Sequence, residues 1–146
     1  MTNIEIRNLS SNDYGKHYLD LLEQLTCVNK EIIDYNKFNE FVNKLNKNHI
    51  IFVCEDVINN KIIATGTLII EPKLIHGCSY VGHIEDIVVD NQYGGQNYGK
   101  LIITKLIEYA KNNDCYKVIL DCNDNVQKFY EKCGFHKKEN QMIIYF

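Results

Sequence analysis

The chain has 146 residues, 45% of them hydrophobic and 24% charged, with a formal net charge of −3. That length builds one substantial core and not two, so a single domain over residues 1–146 is expected, and the mild acidity gives nucleic acid no electrostatic hold. The start MTNIEIRNLS lacks the basic and apolar regions of a signal peptide, and no apolar run reaches the length of a membrane span, which points to a soluble cytoplasmic protein. Six cysteines without a CxxC pair or a ligand spacing read as free thiols, most of them buried, and supply no metal site.

Residues 3–8 alternate apolar and polar as a half-buried strand does, and Ser10, Ser11, Asn12 and Asp13 then crowd together as helix-capping residues. A helix follows on the face shared by Tyr14, Tyr18, Leu21, Leu22 and Leu25. A second is predicted over 34–46, burying Phe38, Phe41, Val42 and Leu45. From His49 the period shortens: IIFVCEDV and KIIATGTLII are antiparallel strands joined through Ile58-Asn59-Asn60, whose asparagines suit a hairpin turn. The only proline, Pro72, sits in a loop over 71–78, and a third strand resumes near Tyr80 and carries Glu85 and Asp86.

The passage from Gly82 to Leu106 joins that strand to an apolar-faced helix, beginning near Tyr98, through a glycine-rich turn. Such a junction binds phosphate: backbone N–H groups at a helix N-terminus lack partners, and the missing Cβ of Gly94, Gly95 and Gly99 lets an anion approach. Gly94 to Lys100 also fits the GxxxxGK of a nucleotide loop, with the strand ending at Asp121 imitating the acidic strand of an ATPase. Leu101, however, stands where that loop needs a hydroxyl for magnesium, so a metal-free pyrophosphate site fits better. YKVILD, 116–121, is the next strand, and a strand–helix–strand passage implies a right-handed crossover to a parallel neighbour. Ligands gather at the carboxyl ends of such strands, where Glu85, Asp86, the glycine turn and Asp121 all lie. A short helix capped by Asn123, Asp124 or Asn125 runs through Lys132 to Gly134, and Gln141–Phe146 reads as a last strand.

The order of elements, with GHIEDIVV, IIEPKLIHGC, GKL after the glycines, CYKVILDC and KFYEKCGF, resembles the GNAT superfamily and within it the glucosamine 6-phosphate N-acetyltransferase family, over nearly the whole chain. The resemblance implies an α/β GNAT fold: a mixed, mostly antiparallel sheet with a parallel pair at the acetyl-coenzyme A site, flanked by about four helices. It implies acetyl transfer from acetyl-coenzyme A to the 2-amino group of D-glucosamine 6-phosphate, on the route to UDP-N-acetylglucosamine, by direct attack of the amine in an intertwined homodimer with interface sites. The alternatives are acetylation of another small amine or a protein N-terminus, and a non-catalytic acyl-coenzyme A sensor.

By matching position, Ile87, Val88 and Val89 pair with the pantetheine arm, and Gly94, Gly95, Gln96, Asn97, Tyr98, Gly99 and Lys100 hold the pyrophosphate. Asn125 and Tyr130 complete the cofactor side. Thr26, Lys73, His76, Glu85, Asp86, Tyr116 and Lys117 match sugar-side positions. Tyr130 matches the family's tyrosine near the sulfur, and Asp121 a carboxylate beside the reacting centre. The sequence departs from the family pattern in three places, the first of them the glycine turn. Gly94 and Asn97 replace an Arg or Gln and a glycine, with asparagine able to keep the left-handed turn. Val126 replaces an asparagine that Asn125 supplies one place early, and the C-terminal arginine is missing from QMIIYF, leaving phosphate to groups such as Lys73 and Lys117.

Overall fold

The computed structural model describes residues 3–146. Its centre is a five-stranded sheet in the order β1 (Ile4–Asn8), β2 (His49–Asp56), β3 (Lys61–Pro72), β4 (Tyr80–Val89) and β5 (Cys115–Ile119). Neighbours are antiparallel from β1 to β4, and β4 with β5 is the parallel pair. The parallel pairing follows from the crossover helix α4 (Tyr98–Asn112), which returns the chain along one face of the sheet. Its buried stripe of Tyr98, Ile102, Ile103, Leu106 and Ala110 packs on Phe52, Ile63, Leu68 and Ile84. The opposite face is covered by α1 (Tyr18–Glu23) and α2 (Tyr35–Lys44), through Tyr18, Leu21 and Phe38 against Ile51, Val53 and Ile62. A four-residue turn, α3 (Ile75–Cys78), and α5 (Asp124–Lys132) complete the helices.

The first helix is shorter than the apolar pattern of 14–25 predicts. Ser10 and Asp13 form a capping box that starts a 3-10 turn over Ser11–Gly15, and His17, at φ 61°, breaks the chain before α1. Asp13 is not merely a cap. It is buried and takes two bonds from the Arg7 guanidinium, at 2.8 and 2.7 Å, while Arg7 also pairs with Glu55 and Lys16 Nζ meets Glu55 Oε1 at 2.5 Å. Four charges thereby neutralise one another where β1, the 3-10 turn and β2 meet.

In α2 the stripe is centred on Phe38 and Val42, so Phe41 lies about 60° round at the helix edge and is 45% exposed rather than buried. The expected hairpin forms, with Asn60 at φ 51°. The loop predicted over 71–78 is shorter, because β3 runs on through Pro72. The thiols are all free, yet only Cys54, in the middle of β2, is buried. Cys115 and Cys133 are half-buried, and Cys27, Cys78 and Cys122 are exposed.

The largest departure is at the end of the chain. Gln141–Phe146 forms no strand, and Met142, Ile143, Ile144, Tyr145 and Phe146 are exposed, Met142 by 93%. Its β-rich composition fits an extended conformation, but a strand needs a ladder partner, and among the described residues it has none.

Candidate active site

The site begins with an extra residue in β4. Thr67 pairs with Glu85 and Thr65 with Val88, so three steps along β4 match two along β3. Asp86 absorbs the difference at φ 52° in a β-bulge. Gly66 lies opposite because it must: a Cβ there would collide with Ile87 Cδ1 and come within 2.7 Å of Ile102 Cγ2. On its other side β4 keeps β5 only from Tyr80 to His83, and among the described residues no strand pairs with that edge beyond His83. A wedge opens between the parallel strands, walled by the unpartnered edge of β4 through Ile87, Val88 and Val89.

The wedge leads to the N-terminus of α4. Asn97 caps this helix at φ 65°, without a side-chain cap bond, and the N–H of Leu101 is the first to reach back, to the Asn97 carbonyl at 3.0 Å. The N–H groups of Tyr98, Gly99 and Lys100 therefore have no intrahelical acceptor and face the turn. The three glycines expected to admit an anion have different tasks. Gly95, at φ 76°, has open space where a Cβ would stand. Gly94 is at an ordinary φ of −59°, whereas a Cβ on Gly99 would press on Phe129 Cζ at 3.1 Å and Val89 Cγ2 at 3.4 Å, so Gly99 serves helix packing.

The turn before the glycines is braced from three directions. Lys61 Nζ meets Asp90 Oδ2 at 2.7 Å, Tyr93 Oη donates to Asp56 Oδ2 at 2.9 Å, and the Asn91 N–H donates to Gln24 Oε1 at 2.8 Å. Of these residues, Gln24, Lys61 and Asp56 lie far from the glycine turn in sequence. The donors of the turn are held in place before any ligand arrives.

Glu85, Asp86 and Asp121 lie near enough for their charges to act on one another. Partial burial raises the Glu85 carboxyl above the ordinary range, and the charges of Asp86 and then Asp121 push it further. His76 stacks on Tyr116 with ring centroids 4.4 Å apart, and Lys117 Nζ lies 5.5 Å from the same ring. Lys73 stands apart from both groups. Its Nζ is 2.7 Å from Glu71 Oε1, while Glu71 Oε2 is 2.7 Å from His83 Nε2. Thr26 is exposed in the turn after α1, and no contact joins it to these side chains. Sequence reading passed over Glu71 and His83, although GHIED contains the histidine, because their meeting depends on cross-strand register.

Opposite the wedge, α5 presents Tyr130. A groove of about 440 Å³ holds Asp121 and Tyr130 together with Leu120, Phe135 and Gln141, whose Nε2 donates to Asp121 Oδ2 at 3.0 Å. The Tyr130 phenol is raised above its ordinary pKa by burial and, to a smaller extent, by Cys122 and Cys133, so it carries its proton at neutral pH. Asn125 lies exposed in the first turn of α5, and one residue of helix turns it about 100° away from Val126.

A strand wedge beside a bulge, leading to an anion-binding helix end, defines an acyl-coenzyme A-dependent transferase site. In agreement, residues 5–135 match the Acetyltransferase (GNAT) family, and the chain belongs to that family. It is similar to a curated glucosamine 6-phosphate N-acetyltransferase of Arabidopsis thaliana, at 40% identity over 97% of this chain and 96% of the relative. A Dictyostelium discoideum relative of the same name is 43% identical over 97% of this chain and 90% of its own. The crystal structure of the Arabidopsis glucosamine-6-phosphate N-acetyltransferase superposes with a TM-score of 0.95, at 38% identity over 99% of each chain. A Trypanosoma brucei acetyltransferase superposes at 0.91 and 34%, over 99% of this chain and 100% of its own. GNAT acetyltransferases use acetyl-coenzyme A, and the residues here fit it: an open left-handed glycine, unpaired helix N–H groups, and an unpaired strand edge leading inward.

Gly95→Val tests the turn. With nothing within 4 Å of the new Cβ no clash arises, but a β-branched residue at φ 76° strains the turn and stands where the anion would approach. The expected outcome is a rise of about tenfold or more in the Kd for acetyl-coenzyme A by calorimetry, with a melting temperature lowered only slightly. Unchanged affinity would place the pyrophosphate elsewhere.

Proposed function

We propose that this protein transfers the acetyl group of acetyl-coenzyme A to the 2-amino group of D-glucosamine 6-phosphate, giving N-acetyl-D-glucosamine 6-phosphate and free coenzyme A for UDP-N-acetylglucosamine synthesis. The observation that carries the transferase reading is the wedge between β4 and β5, with Glu85, Asp86 and Asp121 near one another and Asp121 sharing a groove with Tyr130. The acceptor follows from the family relatives of that name, at 40 and 43% identity over almost the full chain.

Acetyl-coenzyme A supplies the activated acyl group as a thioester. Gly94, Gly95, Gln96, Asn97, Tyr98, Gly99 and Lys100 would cradle its pyrophosphate, with Asn125 nearby, and the free edge of Ile87, Val88 and Val89 would receive its pantetheine arm as an added strand. Strand N–H groups there would polarise the carbonyl oxygen as it gains charge. The amine must be neutral to attack, and the acidic cluster draws in an ammonium and takes its proton. Asp121 orients the nitrogen, and Glu85, whose pKa is raised, accepts a proton most readily. Tyr130, kept protonated, donates to the departing sulfur. The transferred carbon thus exchanges a C–S bond for a C–N bond, and no covalent enzyme intermediate is needed.

Lys73 and Lys117 would hold the phosphomonoester, with Thr26, His76, Glu85, Asp86 and Tyr116 around the sugar. A homodimer completes this pocket in our reading. Among the described residues the outer edge of β5 is unpaired, a second groove of about 650 Å³ lies along it between Tyr116 and Phe135, and Gln141–Phe146 is an exposed, largely apolar segment of strand-forming composition. Exchange of these tails would pair each with the other protomer's β5 edge. The free thiols suit a reducing compartment such as the cytoplasm.

Coenzyme A release across amino sugars, with and without the 6-phosphate, tests the acceptor. Lys73→Ala and Lys117→Ala should each raise the KM for glucosamine 6-phosphate, at least one by about 1.5–3 kcal/mol, as loss of a charge-assisted hydrogen bond does. Equal impairment toward plain glucosamine would make the lysines structural, and no impairment toward either sugar would favour another amine. Tyr130→Phe should lower kcat by about tenfold or more while the Kd for acetyl-coenzyme A holds. Equal turnover would remove the phenol from the mechanism. Deleting residues 141–146 should convert a dimer to a monomer in sedimentation; a wild-type monomer, or a truncated dimer, would rule out tail exchange.

A further inference from the structure

We propose that Glu71, anchored by His83, is a positioning residue that holds the Lys73 ammonium ready for the sugar phosphate and thereby sets the preference for a phosphorylated over an unphosphorylated amino sugar. This role rests on the reading of the acceptor given above.

Cross-strand register creates the arrangement. Ile69 of β3 pairs with His83 of β4, and Glu71 lies two residues further along β3, on the same face and diagonal to the histidine. Each carboxylate oxygen has its own partner, Oε1 at 2.7 Å from Lys73 Nζ and Oε2 at 2.7 Å from His83 Nε2. Both ends of the carboxylate are thus fixed, one to the sheet and one to the residue that follows β3. The backbone of Lys73 is fixed as well, since its N–H donates to the Ser79 carbonyl at 2.8 Å and closes the base of the loop that carries His76. What remains free is the four-carbon stem, and Glu71 restrains it.

A lysine ammonium has three donors, and Glu71 engages one of them, so two remain for a phosphate. Two effects oppose each other. The carboxylate orders a flexible side chain whose rotamer freedom would otherwise be lost on binding, and its negative charge repels a phosphate dianion. The His83 bond on the far oxygen draws the carboxylate charge away from the lysine side, and Lys73 and Glu71 are both partly exposed, which screens the repulsion. Ordering therefore prevails. A glutamine in place of Glu71 keeps an oxygen for Lys73 and removes the charge, so it separates the two effects.

The test is a steady-state comparison of wild type, Glu71→Ala, Glu71→Gln, Lys73→Ala and the Lys73→Ala/Glu71→Ala double variant, on glucosamine 6-phosphate and on glucosamine. Glu71→Ala is expected to raise the KM for the phosphorylated sugar about three- to fivefold, with kcat and the KM for acetyl-coenzyme A within about twofold. Glu71→Gln should restore most of the loss, and Glu71→Ala should add nothing once Lys73 is gone. A lowered KM in Glu71→Ala, an additive double variant, or an equal effect on plain glucosamine overturns the role of Glu71 alone. Wild-type turnover indifferent to the 6-phosphate overturns the acceptor reading together with it.

Discussion

The site depends on one unmatched residue in β4. A left-handed Asp86 is costly for a non-glycine residue, on the order of 1–2 kcal/mol, and persists only where the surroundings overdetermine it. They do so here through packing. Gly66 leaves no room for a side chain between β3 and α4, so Ile87 and Ile102 fill that space, and β4 is held in its bulged register. Because β4 bends at the bulge while β5 ends at Ile119, the two strands part where their carboxyl ends would bind a ligand. Sheet hydrogen bonds given up along that edge are the ones a cofactor arm can recover.

The glycine turn is rigid for a related reason. Glycines give access to the backbone but also make it floppy, and a floppy anion site must be ordered on binding. Lys61 from the β2–β3 hairpin, Gln24 from the end of α1 and Asp56 from the end of β2 hold Asp90, Asn91 and Tyr93 just upstream. Left-handed Asn97 and Gly95 then turn the chain into α4 with its free N–H groups aligned. Charge is segregated as well: the carboxylates of Glu85, Asp86 and Asp121 interact with one another, while Lys73 pairs with Glu71 and Lys117 lies beside Tyr116.

Much of this was legible in the sequence. Alternation and periodicity located the five strands and the helices carrying the core, because a core-facing side must be apolar at the period of its own element. The glycines followed by an apolar helix marked the anion site, and Asn60 and Asn97 take the left-handed geometry expected of asparagine. The family resemblance supplied the acceptor and the residue roles, which composition and spacing alone do not reach.

What only the tertiary structure decided concerns contacts between residues distant in the chain. Local pattern could not show that Gly99 is a packing glycine and Gly95 an open one, because the difference lies in Phe129 and Val89. It could not turn Asp13 from a cap into the buried partner of Arg7, or place Glu71 between Lys73 and His83, because register brings those groups together. The last six residues show the limit most plainly. Their composition is that of a strand, but composition expresses what a segment can form, whereas a strand exists only when it is paired, and among the described residues no strand pairs with this segment although the outer edge of β5 is free.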